Sequence, residues 1–102
     1  MRETIFLAVC NALCVDYKEA ASQKRYRENV VAKQMYFSIV REIYGYRYTL
    51  GYIGRMSLFE KEVNHATVLY HLTKFKDEIN QPFMAEIKPI YQDLLNQFNS
   101  KH

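Results

Sequence analysis

The sequence predicts an all-α protein, a compact bundle of about five helices. Three observations carry that expectation. Only 3 Gly and 2 Pro occur among 102 residues, too little turn material for an all-β fold. Apolar residues recur at helical spacing over long stretches, which lays one face of each segment against a core. Hydrophobic residues make up 49% and charged residues 25%, the balance of a globular chain and not of a disordered one. The length suits a single domain over residues 1–102 with one modest core.

The first helix is expected over residues 3–14, capped by Thr4, with Ile5, Phe6, Val9 and Leu13 on one face. Cys10 and Cys14 fall four apart on it, badly placed for a disulfide, and read as buried free thiols in a reducing compartment. Asp16-Tyr17-Lys18-Glu19 ends the pattern and starts a brief turn of helix through Ala21. Ser22-Gln23-Lys24-Arg25-Tyr26-Arg27 is a polar, basic surface connector. It is either a solvated loop or an arm that contacts phosphates.

From Arg27 or Glu28 to Tyr44 the apolar residues cover more than half of a helix circumference, so this helix should be central, with Gly45 as its C-cap. Thr49 caps a short helix over Leu50–Met56, and the cluster Tyr44, Tyr46, Tyr48 and Tyr52 should wrap the core edge. Ser57–Val63 is a connector. Asn64 then caps a helix reaching Asn80, with Val68, Leu72, Phe75 and Ile79 along its buried face and Asn64, His65, Thr67, Thr73 and Lys74 left polar and free. Gln81-Pro82 breaks the pattern. A last helix carries Phe83, Ile87, Ile90, Leu94, Leu95 and Phe98, is kinked or truly begun at Pro89, and frays over 99–102.

The net charge of +3 is unevenly spread. Residues 1–56 carry nine basic and five acidic side chains, a balance of +4, whereas residues 57–102 balance at −1. A basic half suits a polyanion, although surface lysines alone produce the same count. No apolar run approaches the roughly 18 residues of a membrane span. Leu7-Ala8-Val9-Cys10 is close to a lipoprotein box, but Val9 stands where a small residue is needed and Glu3 spoils a positive start, so the expected location is the cytoplasm, away from membranes. No Cys/His pair completes a metal site with Cys10 and Cys14, and no Ser/His/Asp or Cys/His arrangement has a recognisable spacing. The expectation is a protein that is not an enzyme, with no metal, cofactor or small-molecule substrate.

A short helix, a connector and a longer helix with polar side chains at its N-terminus together describe a helix-turn-helix reader of a DNA major groove. Three blocks give that motif a resemblance. Ala32-Lys33-Gln34-Met35-Tyr36-Phe37 stands where one family has A-R-Q-x-A-M-Y-L; Thr49-Leu50-Gly51-Tyr52-Ile53-Gly54 answers S-L-x-x-I-G. Asn64-His65-Ala66-Thr67-Val68, followed by Lys74 and Phe75, answers D-H-[ST]-T-V. In these blocks, in that order, the chain resembles the C-terminal DNA-binding domain of the bacterial chromosomal replication initiator DnaA. The likeness covers most of residues 5–80.

The resemblance implies a Trp-repressor-like helical fold that binds double-stranded DNA with sequence preference, in replication initiation or transcription. Asn64, His65 and Thr67, with Ala66 inside the signature, would meet bases and phosphates, and Lys74 would hold a phosphate. Arg25 or Arg27 would reach the minor groove, and Lys24, Lys33 and Lys61 complete the expected DNA-binding set. No G-x-x-x-x-G-K-[ST] loop occurs, so the family's ATPase chemistry has no counterpart in this sequence. Val63 and Ala66 replace the family's arginine and hydroxyl, and Glu60 and Glu62 lie where phosphates would approach. Those departures carry the alternative expectation, a helical protein–protein interaction module that has lost specific DNA reading and meets a protein partner in replication.

Overall fold

The longest helix becomes the axis of the structure. In the computed structural model, which describes residues 2–99, helix α3 (Arg27–Tyr44) buries Val31, Ala32, Met35, Tyr36, Phe37, Ile39, Val40 and Tyr44. Helices α1 (Arg2–Ala12), α2 (Tyr17–Ala21), α4 (Leu50–Gly54), α5 (His65–Glu78) and α6 (Ile87–Asn99) all pack against it. One-turn 3-10 helices at Gly45–Arg47 and Pro82–Met84 make the corners. Six α-helices therefore stand where about five were expected, and no strand occurs among the described residues. A helix apolar on more than one side must be covered on more than one side, and this one is.

Several ends differ from the sequence expectation, each for a local reason. Helix α1 already includes Arg2, so Thr4 lies exposed inside it and caps nothing. It stops at Ala12, and Cys14 turns out at φ 58, exposed to solvent. Only Cys10 is a buried thiol, and burial, with the nearby Asp16 charge, pushes it up to about 11. A protonated thiol of that kind is an inert packing group. Phe83 sits in the 3-10 corner, 55% exposed, and α6 begins four residues later at Ile87. Pro89 is the third residue of α6, in the first turn, where its missing N–H costs no helical bond. The fraying expected beyond Asn99 lies outside the described residues.

Helix α4 ends at Gly54, two residues before Met56. The Gly54 carbonyl takes its hydrogen bond from the Val63 N–H at 2.8 Å, across the connector, and no longer from its own helix. Met56 turns inward and is 3% exposed. The ten-residue excursion between α4 and α5 is folded onto the body by Phe59. Its ring sits edge-on to Phe6, Tyr36 and Phe37, with centroids 5.2 to 5.8 Å apart. The Glu60 N–H donates to the Ala21 carbonyl at 3.0 Å, and Ser57 Oγ donates to Glu3 at 2.9 Å. A long connector thus leaves its two ends touching.

The caps follow the sequence. Thr49 Oγ1 accepts from the Tyr52 N–H at 3.1 Å, and Asn64 Oδ1 accepts from the Ala66 N–H at 2.7 Å. Gly45 closes α3 at φ 56, a left-handed conformation that glycine adopts without steric cost. Tyr48 stacks on Tyr44 and meets Tyr52 at a 60° tilt, and Arg2 lies over Tyr52, 3.9 Å from its centroid, whereas Tyr46 projects outward at 93% exposure. Tyr44 and Tyr48 wrap the core edge as expected, whereas Tyr52 and Tyr46 are exposed.

At Gly54 a Cβ would lie 2.0 Å from the Val63 carbonyl oxygen and 3.1 Å from Val68 Cγ2. The obstacle is backbone, so relief requires parting α4 from α5. Gly54→Ala is expected to destabilise the protein by about 3 kcal/mol. The thermal midpoint, followed by circular dichroism, should fall by more than about 10 °C.

Candidate functional site

Helix α5 is capped by Asn64 and runs about 21 Å at 1.5 Å per residue. Val68 and Phe75 are buried and Leu72 and Ile79 half-buried, so the predicted apolar stripe is the one that faces the core. At 100° per residue, Asn64, Thr67, His71 and Lys74 form a second stripe along one flank of that apolar face. Ala66, Tyr70 and Thr73 form an outward ridge beside it, all exposed. Spacing alone separates these three surfaces.

The flank stripe looks across an open groove of about 670 Å³ toward the start of α3 and the connector before it. Of the ten residues expected to bind DNA, eight line this groove. Lys24 and Arg25 come from the connector, Lys33 from α3, and Lys61 from the segment before α5. Asn64, Ala66, Thr67 and Lys74 come from the α5 side. Positions some fifty residues apart in sequence are therefore gathered on one face. His65 does not line the groove; it is exposed as the first residue of α5. Arg27 lies elsewhere. Its guanidinium donates to Met84 Sδ at 3.8 Å and stacks over Phe83, beside a smaller cavity lined by Leu13, Val31 and Ile87. Helical phase turns Arg27 away from the face that holds Lys33, so Arg25 is the arginine of the groove.

Five cations line the groove and one carboxylate, Glu62, opposes them. Two of the cations have partial partners on their outer side: Lys24 pairs with Glu19 at 3.3 Å and Lys74 with Glu78 at 3.6 Å. Lys33 is half-buried and donates to the Ser22 carbonyl. Burial holds its ammonium below the ordinary lysine value; Glu60 acts against that fall and Arg25 adds to it. A lysine kept charged against desolvation is poised to gain from an incoming anion.

The groove floor holds polar groups that the sequence reading passed over. Asn29 and Gln34 are 2% and 3% exposed, on a helix otherwise buried through apolar side chains. Asn29 Nδ2 and His71 Nδ1 have no hydrogen-bond partner among the described residues. The His71 ring stacks on Phe37, 5.8 Å between centroids and 29° from parallel. The available signal was the spacing of Asn29 and Lys33, four apart on a helix that is otherwise apolar there, and of Thr67 and His71 on α5.

Among the described residues, no three His, Cys, Asp or Glu side chains gather as metal ligands, and no helix is long and apolar enough to cross a membrane. Comparison with protein-family models, curated proteins and solved structures returns no match.

His71 provides a pH-dependent test of the packing. Burial, then the charges of Lys33 and Arg25, lower its pKa from 6.5 to about 4. In the unfolded chain the imidazole takes up a proton first. The stability contributed by keeping His71 neutral is therefore whole above pH 6.5 and is lost as pH falls toward 4. His71→Phe preserves a ring against Phe37 and removes the titration. Its thermal midpoint should depend less steeply on pH between 6.5 and 5 than that of the parent protein, as read by a series of thermal melts.

Proposed function

We propose that this chain is a cytoplasmic, non-enzymatic protein that binds double-stranded DNA with sequence preference through a helix-turn-helix formed by α4 and α5. Its role would be accessory or regulatory, in replication initiation or transcription. The observation that carries the reading is the convergence of Lys24, Arg25, Lys33, Lys61 and Lys74 on the face that also presents Asn64 and Thr67. The likeness of three sequence blocks to the DnaA C-terminal domain points the same way, and on that reading the N-terminal half of α5 would enter the major groove.

The chemistry fits each part. The N-terminus of α5 brings unpaired N–H groups and the positive end of its dipole toward a phosphate. Thr67 offers a methyl to thymine, and the Tyr70 side chain on the outward ridge adds an amphipathic surface. The Asn64 carbonyl oxygen is committed to its cap, which leaves its NH₂ as the donor toward bases or phosphates. One good base contact discriminates by about 1–3 kcal/mol, so two or three give a usable preference.

A second reading has its own support. Leu69 and Tyr70 are 53% and 57% exposed on α5, and Glu60 and Glu62 stand exposed beside its start. A protein partner, including one of the replication machinery, could seat on that apolar pair.

Fluorescence titration against duplexes with and without DnaA-box-like sites separates the two. With about five cations meeting phosphates, log K should fall with log salt at a slope near −4.5, roughly 500-fold between 50 and 200 mM. Thr67→Ala should flatten the preference among sequences, whereas Arg25→Ala should weaken all duplexes alike and make the salt slope shallower by about one. Equal, weak binding to every duplex, unchanged by Thr67→Ala, would sink the sequence-reading proposal and leave the interaction module.

A further inference from the structure

We infer that the floor of the α3–α5 groove is a binding pocket for the terminal phosphate of a small phosphorylated ligand of mononucleotide size. The inference uses the same face as the DNA proposal but does not rest on it. Two independent observations carry it. One is a concave site of about 670 Å³ rimmed by cations, within the range of small-ligand sites. The other is a donor with nothing to donate to: Asn29 lines that site, is 2% exposed, and its Nδ2 has no partner among the described residues.

An amide buried without a partner is costly, and replacing it with an apolar residue of similar shape removes that cost. Its position makes a ligand the natural partner. Asn29 and Lys33 lie four apart on α3 and so share a face, with Arg25 at the rim. An amide donor, an ammonium and a guanidinium around one recess form a donor set for a tetrahedral oxyanion. None of the three supplies a negative charge. His71, opposite on α5, is held neutral by its burial and by Lys33 and Arg25, and its Nδ1 is also without a partner. A neutral imidazole beside the recess does not add to the positive charge, and it can offer an N–H to the ligand.

Depth distinguishes the kinds of phosphate. A duplex phosphodiester has two free oxygens and sugars on both sides, so it meets the rim residues Lys24, Arg25 and Lys61. A phosphomonoester has three free oxygens and is tethered on one side only. A terminal group of that kind is the better suited to a side chain as buried as Asn29. The exposed Tyr70 ring at the rim offers a face for a base or another planar group.

The test is NMR titration of the full chain at constant ionic strength, following the Asn29 side-chain amide and the His71 ring. The probes are inorganic phosphate, 5′-AMP and a short duplex. Phosphate and 5′-AMP should each give a saturable shift of the Asn29 amide, with 5′-AMP the tighter. Arg25→Gln, an exposed change that leaves the core alone, should weaken both by about tenfold or more, the weight of one hydrogen bond to a charged group. Asn29→Leu, read at the His71 ring, should abolish the saturable response while leaving the thermal midpoint of the ligand-free protein unchanged or higher. Absence of a saturable shift with either small anion, or equal titration of Arg25→Gln and the parent, overturns the inference. A shift caused by the duplex alone also overturns it, assigning the recess to backbone phosphate. Saturable phosphate binding with no duplex binding would leave the pocket standing and remove the DNA reading.

Discussion

The contact on which this structure depends is the approach of two backbones, at Gly54 and Val63. The Val63 N–H donates to the Gly54 carbonyl at 2.8 Å, in a space that no side chain could share. That approach sets where α5 begins relative to α4, and hence where Asn64, Thr67, His71 and Lys74 face. The ten residues between the two helices do not loosen the junction, because Phe59 is locked among Phe6, Tyr36 and Phe37. Connector length and helix placement are therefore separate quantities here. The buried ring absorbs the extra chain, and the glycine fixes the geometry.

Helix α3 carries the consequence of forming both the core and one wall of the groove. Most of its surface is apolar and covered, yet Asn29, Lys33 and Gln34 on one side are polar and at least half-buried. Two of the three are unfavourable by themselves: Asn29 Nδ2 is unpartnered, and the Lys33 ammonium is partly stripped of water. A sequence selected for stability alone would hold apolar residues at such positions. Polar groups kept at a stability cost, and concentrated in one concave place, are the pattern expected where a protein binds something.

Much of the fold was legible because it depends on local periodicity. The bounds of α3, the caps at Thr49 and Asn64, the turn at Gly45 and the buried stripe of α5 follow from spacing and from a few residues with one good role each. What was not legible was the residue at which the chain enters or leaves each helix. Gly54 ends α4 early because of Val63; Cys14 is exposed because the chain turns at φ 58 after Ala12; Thr4 lost its capping position because the helix already includes Arg2. The groove shows the same division. Its cations were visible as a charge bias, but Arg25 and Arg27 differ by two residues and end on different sides of α3. Asn29 and His71 were passed over because an isolated polar residue in an apolar pattern carries no sign, in sequence, of whether it has a partner.

The geometry of α5 makes its possible roles compatible. Its flank stripe of Asn64, Thr67, His71 and Lys74 looks into the groove, while Ala66, Tyr70 and Thr73 stand about 110° further round at 100° per residue, with Ala66 and Tyr70 at the groove rim. A ligand held in the groove need not cover the ridge, and a duplex or protein lying along the ridge need not fill the floor. The two surfaces share the rim cations Lys24, Arg25 and Lys61 and meet along Asn64, Ala66, Thr67 and Tyr70, which line the groove as well. An anion in the floor would neutralise part of that rim charge, and a polyanion on the ridge would compete for the same charge. Any coupling between the two is then electrostatic and negative, transmitted through charges a few residues apart, with no change of fold required.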